Sequence, residues 1–455
     1  MKIKFIIFLS ILMLSVNGWA DINSDLVKAV DNNKVKKVAE LLKKGANANT
    51  RSTTAMWKPT ILHLAAKNGY VQIVKLLLKK GAKVNVTMSF AGFTPLHYAA
   101  VEGHAEVARL LIKKGAKVDF KTNDSAFYSS LGITKGDTPL YMAAGMGHSD
   151  VAKLLVAKKA NILSKDENGD TIAHAACEGG VKWLVQLIAK KTDIKKIKNN
   201  NKKDLLYSAI EGNQQKIIKW LISKGFDVNA KDDYGKTLLH SAAENGKIDI
   251  VKLLVKNGAK VTALDDSKSS PLHEAAENGD IEVVQFLIDK GADIKARGGY
   301  DGDTPLHQAA SHGNIVIVML FLEKGVPVDI RDKNGKTPLM VAKEKDMIWL
   351  LLKNGANLHA KANDGSSVLH NSDLSVEAFK YLVSKGADIH AKDKNGSTPL
   401  HSQAGSYLSD VKLVQFLIDK GANVHAKNKD NKKPLDLASN DKVKKLLKRH
   451  MKTKK

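Results

Sequence analysis

The sequence predicts an all-α repeat solenoid, built from stacked helix-turn-helix units that are joined by β-turn fingers. A Thr-Pro-Leu-His motif recurs along the chain, for example at residues 94–97, 304–307 and 398–401. Successive copies lie 30 to 36 residues apart, apart from one step of 44. A Gly-Ala pair closes a second apolar run in most copies. A period near 33 sustained over a whole chain is typical of stacked repeats and not of a globular domain.

Each residue of the motif has a mechanical role in starting a helix. The Thr304 hydroxyl can accept a hydrogen bond from an amide of the first helical turn. Pro305 suits the first helical position, where no amide donor is missed. The ring of His307 can bond the Thr side chain or a neighbouring backbone, and Ala309 and Ala310 let helices approach closely. A Gly that follows most copies ends this first helix.

The fourth position of the motif defines the repeats in order. It is occupied by Val27, His63, His97, Tyr141, His174, Tyr207, His240, His273, His307, Met340, His370, His401 and Asp436. The repeat around Met340 is about three residues short between its helices. The step of 44 places extra residues at 121–135, a polar loop. That loop is either a neutral insertion or a longer finger that contacts a partner.

The motif, the period and the Gly-Ala pair together resemble the ankyrin repeat, a β-turn finger followed by two antiparallel helices. The resemblance covers residues 21–448 and implies 12 to 13 repeats. It departs from the pattern where Lys159-Ala160 and Lys191-Thr192 replace Gly-Ala. The resemblance implies a protein-binding scaffold whose fingers and first helices form a concave surface for a folded protein partner.

The chain begins with a predicted signal peptide over residues 1–20. Lys2 and Lys4 precede an apolar run over residues 5–16, and Gly18 and Ala20 are the small residues that a signal peptidase requires. The run is too short to span a membrane. We therefore expect an exported protein, periplasmic or secreted, with no stable membrane insertion.

The remaining segments follow from the repeats. Residues 21–50 form an N-terminal capping repeat, 51–427 the repeat array, 428–449 a C-terminal capping repeat and 450–455 a basic tail. Polar outer faces are typical of terminal repeats.

Charge is unevenly distributed over a net value of +25. Residues 21–200 hold 29 Lys and Arg against 15 Asp and Glu, whereas residues 201–400 hold 27 of each. The basic half is either a solvated face or a surface that steers an acidic partner. Nucleic acid is not expected as a partner, because of the export signal and the neutral middle.

Nothing in the sequence predicts catalysis, a cofactor or a metal. Phosphate-loop, nucleophile-elbow and dinucleotide motifs are absent from it. Eight of the 15 His are the motif residue, and the His spacing does not suit a zinc site. The single Cys177 excludes an internal disulfide and occupies a small-residue slot. We expect a protein that is not an enzyme.

The candidate partner-binding residues are aromatic side chains in the fingers and in the inserted loop. They are Trp57, Phe90, Phe93, Phe127, Tyr128, Tyr234 and Tyr300. Exposed aromatics dominate many protein interfaces. Trp183, Trp220 and Trp349 lie in second-helix patterns instead, and we expect them in the core.

Two functions remain open at this level. One is a monomeric scaffold that binds a protein in the periplasm, at the cell surface or in a host. The other is a periplasmic structural protein that protects an envelope enzyme.

Overall fold

A computed structural model describes residues 22–52, 58–89, 91–123, 134–407 and 410–452. In these residues the chain forms 25 α-helices, two short 3-10 helices and no strand. The predicted class, an all-α repeat solenoid, is therefore confirmed. The chain divides into two compact bodies, residues 1–227 and 228–455, called here the N-terminal and C-terminal bodies. The predicted signal peptide lies outside the described residues.

The N-terminal body contains six helix pairs. Its helices are α1 (22–31), α2 (Val35–Lys43), α3 (Ile61–Lys67), α4 (Val71–Lys79), α5 (Pro95–Val101), α6 (Ala105–Lys113), α7 (Pro139–Gly145), α8 (Ser149–Ala157), α9 (Ile172–Glu178), α10 (Lys182–Ala189), α11 (Leu205–Glu211) and α12 (Gln215–Ser223). A 3-10 turn, Ile194–Lys196, follows α10. The first helices α3, α5, α7, α9 and α11 contact one another in sequence, which is the stacking expected of repeats.

The C-terminal body continues the pattern with seven repeats. Its helices are α13 (Leu238–Glu244), α14 (Ile248–Lys256), α15 (Pro271–Asn278), α16 (Ile281–Asp289), α17 (Pro305–Ser311), α18 (Ile315–Glu323), α19 (Pro338–Val341), α20 (Lys345–Lys353), α21 (Val376–Ser384), α22 (Pro399–Gly405), α23 (Val411–Asp419), α24 (Pro434–Leu437) and α25 (Asp441–Lys452). A 3-10 turn, Val368–His370, stands where the first helix of one repeat is expected.

A reciprocal hydrogen-bonded box starts the first helix in every repeat that carries the motif His. At Thr60, the hydroxyl lies 2.8 Å from Nδ1 of His63, and the Thr60 amide donates to the same nitrogen. The other ring nitrogen, Nε2, lies 3.0 Å from the Phe93 carbonyl of the next repeat. One buried side chain thus starts its own helix and ties it to its neighbour, as the motif predicts.

The second helices of the repeats contribute one buried face each to the hydrophobic core. From α4 to α23, each second helix buries its third, fourth and seventh residues, as Ile250, Val251 and Leu254 do in α14, all at 0% exposure. This 3-4 spacing is one face of an α-helix, so the remaining positions face solvent. Among the expected core tryptophans, Trp183 and Trp220 are half-buried. The expectation for Trp349 is wrong, because it is the fifth residue of α20 and is 47% exposed.

Side chains just before the second helices bind the repeats end to end. His104 Nε2 lies 2.9 Å from the Lys67 carbonyl, and His148 Nε2 lies 2.7 Å from the Val101 carbonyl. In the C-terminal body, Asn314 Nδ2 donates to the Ala276 carbonyl at 2.7 Å. These contacts satisfy carbonyls that a helix end leaves without intrahelical partners.

The inserted loop is anchored at its base. Most of it, residues 124–133, lies outside the described residues. At its two ends, Thr122 Oγ1 donates to the Thr134 carbonyl at 2.7 Å, and the Asp137 amide donates to Thr122 Oγ1 at 2.8 Å. Asp137 is 1% exposed, and burial together with the nearby Asp166 raises its pKa to about 7.

Candidate functional site

The finger of Tyr234 is a rigid turn built by an Asp and a Gly. Asp232 Oδ1 accepts from the amides of Tyr234 and Lys236, both at 2.9 Å, and so closes the turn on itself. Gly235 then adopts a φ of +72°, which an L side chain rarely tolerates. The finger of Tyr300 has Gly299 in place of the Asp and is closed by its backbone, since the Gly298 amide donates to the Asp303 carbonyl at 2.8 Å.

Neighbouring fingers are also bonded to each other through their backbones. The Asp266 amide donates to the Tyr234 carbonyl at 3.0 Å, and the Lys333 amide donates to the Asp301 carbonyl at 2.9 Å. Further bonds join Asn363 to Asn334 and Lys394 to Asp364. The backbone at a finger tip is consequently held in place before any partner arrives, which lowers the entropy lost on binding.

Two of the predicted aromatic residues project from these fingers. Tyr300 is 94% exposed and Tyr234 is 65% exposed, so both are available to a partner. Trp57, Phe90, Phe127 and Tyr128 lie outside the described residues.

The expected exposure of Phe93 is wrong. It is 5% exposed, and its ring lies 5.4 Å from the rings of both His97 and Tyr98. Phe93 directly precedes the N-cap residue Thr94, where the chain enters the stack, and its carbonyl lies within bonding distance of His63. Tyr234 and Tyr300 lie three and four residues before their N-caps, at the turn itself. Phe93 is a packing residue.

A cavity of about 480 Å³ lies beside the finger of Tyr300. It forms where two successive first helices are short, the four-residue α19 and the 3-10 turn Val368–His370. The side chain of Asn371 substitutes for the missing turn by donating to the Met340 carbonyl at 3.1 Å. The buried Gln403 in turn donates to the Asn371 carbonyl at 2.9 Å.

The cavity walls are polar and carry both signs of charge. They include Asp301, Lys336, Lys343, Asp364, His370 and Asp373. Nearby, burial and the neighbouring Asp332 and Asp301 raise the pKa of Asp303 to about 6. Such a cavity suits a polar or charged side chain better than an apolar one. The sequence revealed the shortening at Met340, but not that the next first helix would also be short.

The exposure of Tyr407 was missed from sequence, whereas Cys177 lies buried where a small core residue was expected. Tyr407, at the end of α22, is 94% exposed, although its position in a helix-ending segment gave no signal of exposure. Cys177 is fully buried, and burial raises the pKa of its thiol, so the thiolate needed for nucleophilic chemistry is disfavoured. Across the described ranges, no three His, Cys, Asp or Glu side chains come together as a metal would require.

The sequence also matches a known protein family. A family model described as ankyrin repeats (3 copies) matches residues 26–124, 119–198, 140–232, 180–265, 205–298, 272–362 and 368–455. The chain belongs to the ankyrin repeat family. Ankyrin repeats mediate protein interactions and are typically non-catalytic, which makes a protein-binding scaffold the general function of this fold.

Individual relatives of this ankyrin repeat chain match short stretches. One stretch of 60 residues, 13% of the chain, is 48% identical to the 2-5A-dependent ribonuclease of Mus musculus. Another of 37 residues, 8% of the chain, is 60% identical to a protein named as an ankyrin repeat protein in Rickettsia bellii (strain RML369-C). The matches span 8% and 15% of these two proteins, so they support the repeat and nothing further.

The ankyrin helices are short and amphipathic. Of those in the described part of the chain, none combines the length and the apolar character needed to cross a lipid bilayer.

Proposed function

We propose that this ankyrin repeat protein is a non-catalytic scaffold that binds a folded protein on the finger face of its C-terminal body, around Tyr234 and Tyr300. The observation that supports this most is the 94% exposure of Tyr300 on a turn that hydrogen bonds hold in place. A tyrosine provides a large contact area with few rotatable bonds, and such residues dominate the energy of many interfaces.

The polar cavity beside Tyr300 completes the proposed surface. Asp301 follows Tyr300 in the same finger and lines the cavity, so a partner that covers the tyrosine also reaches the cavity mouth. Asp364 and Lys336 on its wall can pair with a charged or hydrogen-bonding side chain of that partner. The tyrosines supply contact area, and the cavity supplies specificity.

The setting of this interaction is part of the same proposal. Residues 1–20 have the charge, apolar run and small residues of a signal peptide, which supports export to the periplasm or beyond. The excess of 14 positive charges over residues 21–200 supports an acidic partner, whose association would slow with added salt. The partner is then an envelope protein or a protein of a host.

Site-specific photo-crosslinking locates the surface even while the partner is unidentified. A photoreactive phenylalanine analogue replaces Tyr300 or Tyr234 in the full chain, produced in its own cells. We expect the same discrete adduct from both positions, because one partner covers both fingers. Tyr407 is the matched control, since it is equally exposed but is not on a finger. Adducts at Tyr407 alone, or none at Tyr300, would refute the proposed surface.

A further inference from the structure

One outward face of the C-terminal body is apolar where the rest of the array is polar. The described part of the chain has eleven second helices from α4 to α23, and the fifth residue of each is exposed or half-buried. Nine carry a Lys, an Arg or a Gln there, as Lys252, Gln285 and Lys380 do. The two exceptions are neighbours, Met319 in α18 and Trp349 in α20.

The exposure of these residues has no explanation within the fold. Met319 is 44% exposed and Trp349 is 47% exposed, and Val316, one turn before Met319, is 63% exposed. Stacking does not require apolar side chains at these positions, because Lys and Gln occupy them in other repeats. Adjacent exposed apolar side chains are a common mark of an interaction surface.

The face also contains a groove. Between α16 and α18 lies a cleft of about 630 Å³, lined by apolar atoms of Ile281, Phe286 and Leu320. Glu282, Asp289 and Glu323 border it. One helix further on, the Nζ of Lys353 lies 4.8 Å from the centre of the Trp349 ring. An exposed indole with a cation and a groove with carboxylates thus lie side by side on one surface.

We propose that this face joins two copies of the chain in a twofold dimer, in which Trp349 of each copy enters the groove of the other. A twofold interface uses the same patch on both copies, so the patch must be self-complementary. Here the exposed Trp349 ring of one copy fits the apolar groove of the other. Lys353, which accompanies the ring, meets the Glu282, Asp289 and Glu323 carboxylates of the second copy. Val316 and Met319 lie near the axis and cover their counterparts.

Charge favours a second copy over most other partners of this strongly basic chain. Residues 201–400, which contain the whole face, hold 27 basic and 27 acidic residues. Two copies can therefore approach here without the repulsion that the remaining surfaces would produce. The proposal departs from the monomer expected from sequence, because periodicity alone does not show which outward positions form one patch.

The dimer is expected to be weak. A nine-residue helix is about 13 Å long, and packed helices lie about 10 Å apart. Three helices then offer a projected area of about 400 Å² on each copy, or about 800 Å² in total, which is below the roughly 1,000 Å² expected of a stable specific interface. Association should be reversible and depend on protein concentration in the micromolar range. The finger face is not involved, so this proposal and the proposed function stand or fall separately.

Sedimentation equilibrium of the purified full chain at about 1 to 300 µM tests the proposal. We expect a monomer–dimer equilibrium, and at least about a tenfold loss of affinity in Trp349→Lys and Met319→Lys. These variants should fold, since Lys is found at this position in other repeats, and circular dichroism checks that they do. Tyr407→Lys, which changes an exposed aromatic residue outside this face, should dimerise like the parent.

A charge reversal tests the pairing itself. Glu323→Lys and Lys353→Glu should each weaken the dimer, and the double variant should recover part of the lost affinity, because the two residues face each other across the axis. A monomer at every concentration would overturn the proposal. So would a dimer that survives both Trp349→Lys and Met319→Lys, because association would then use another surface.

Discussion

The free energy of unfolding is expected to fall steeply as the pH drops from about 6.5 to about 4. Burial lowers the pKa of His63, His97 and His174 from 6.5 to about 4, against weaker opposing hydrogen bonds. Burial also lowers the pKa of His240, His273, His307 and His401 in the C-terminal body. The bond that each Nδ1 accepts helps to keep these rings neutral, because a proton on Nδ1 would break it. Nδ1 accepts from a backbone amide, and Nε2 must donate to a carbonyl.

The direction of the effect follows from the two pKa values of each histidine. Between pH 6.5 and 4 the unfolded chain binds a proton that the folded chain excludes, so acid favours unfolding. Above pH 6.5 these histidines are neutral in both the folded and the unfolded state, so they cost no stability. Below about pH 4 they are protonated in both states, so no further stability is lost. The loss is about 3 kcal/mol for each of the three histidines with a pKa near 4.

Several buried and half-buried carboxyl groups act in the opposite direction. Because the pKa of Asp137 is raised to about 7, the folded state binds this proton first, which offsets about 4 kcal/mol of the loss on acidification. Asp303, raised to about 6, opposes the histidines of the C-terminal body. Burial also raises the pKa of Asp166, Asp170 and Asp204 in the N-terminal body, so these carboxyl groups offset a further part of the loss.

Urea unfolding followed by circular dichroism at pH 7.5, 5.5 and 4.5 measures this effect. The urea midpoint should fall at each step. A His63→Gln variant, which lacks one titrating ring, should be less stable at pH 7.5 but should lose less on acidification. A midpoint that is constant or rises towards pH 4.5 would show that the histidine boxes do not control stability.

A single methyl group at Gly179 is expected to destabilise the N-terminal body by roughly 2 to 4 kcal/mol. Gly179 ends α9 with a φ of −79°, a value that any residue adopts, so backbone strain is not the reason for glycine here. A β-carbon at Gly179 would overlap the Ala144 carbonyl oxygen of the preceding repeat. Gly212 meets the Glu178 carbonyl oxygen in the same way. The ends of α7, α9 and α11 are thus packed backbone to backbone.

Gly145→Ala is the matched control for Gly179→Ala. A β-carbon at Gly145 meets nothing nearer than the Ala175 β-carbon at 3.8 Å. Because alanine favours helix over glycine by about 1 kcal/mol, the control should be neutral or slightly stabilising. The urea midpoint of Gly179→Ala should lie below that of the parent, and the midpoint of Gly145→Ala should lie at or slightly above it. Equal midpoints would mean that the helix ends separate easily, contrary to the close packing described.

The repeats and their helices could be predicted because their signals are local. A Thr, a Pro and a His within four residues start a helix wherever they occur, and the fixed period then places the next one. The role of His307 illustrates this, since a bond to Thr304 or to a neighbouring backbone was expected, and the ring makes both. The inserted segment at residues 121–135, inferred from one long step, stays a prediction, because most of it lies outside the described residues.

The site was harder to predict, because exposure depends on neighbours that a local pattern does not include. Phe93 and Tyr300 both precede an N-cap, but only Tyr300 lies at the tip of its turn. Trp349 fits an apolar helical pattern and still faces outward, because its position is the fifth and not the fourth. The cavity beside Tyr300 required two short first helices in succession, and only one was apparent from spacing.

The affinity of the partner for Tyr300→Ala tests most directly the claim that the finger face is the binding surface. The protein captured by crosslinking is purified and titrated against the parent chain, Tyr300→Ala and Tyr407→Ala. We expect Tyr300→Ala to weaken binding by roughly 1 to 4 kcal/mol, with an unchanged melting temperature, and Tyr407→Ala to bind like the parent. If Tyr300→Ala binds as tightly as the parent, or if both variants weaken binding equally, the fingers of the C-terminal body are not the binding surface.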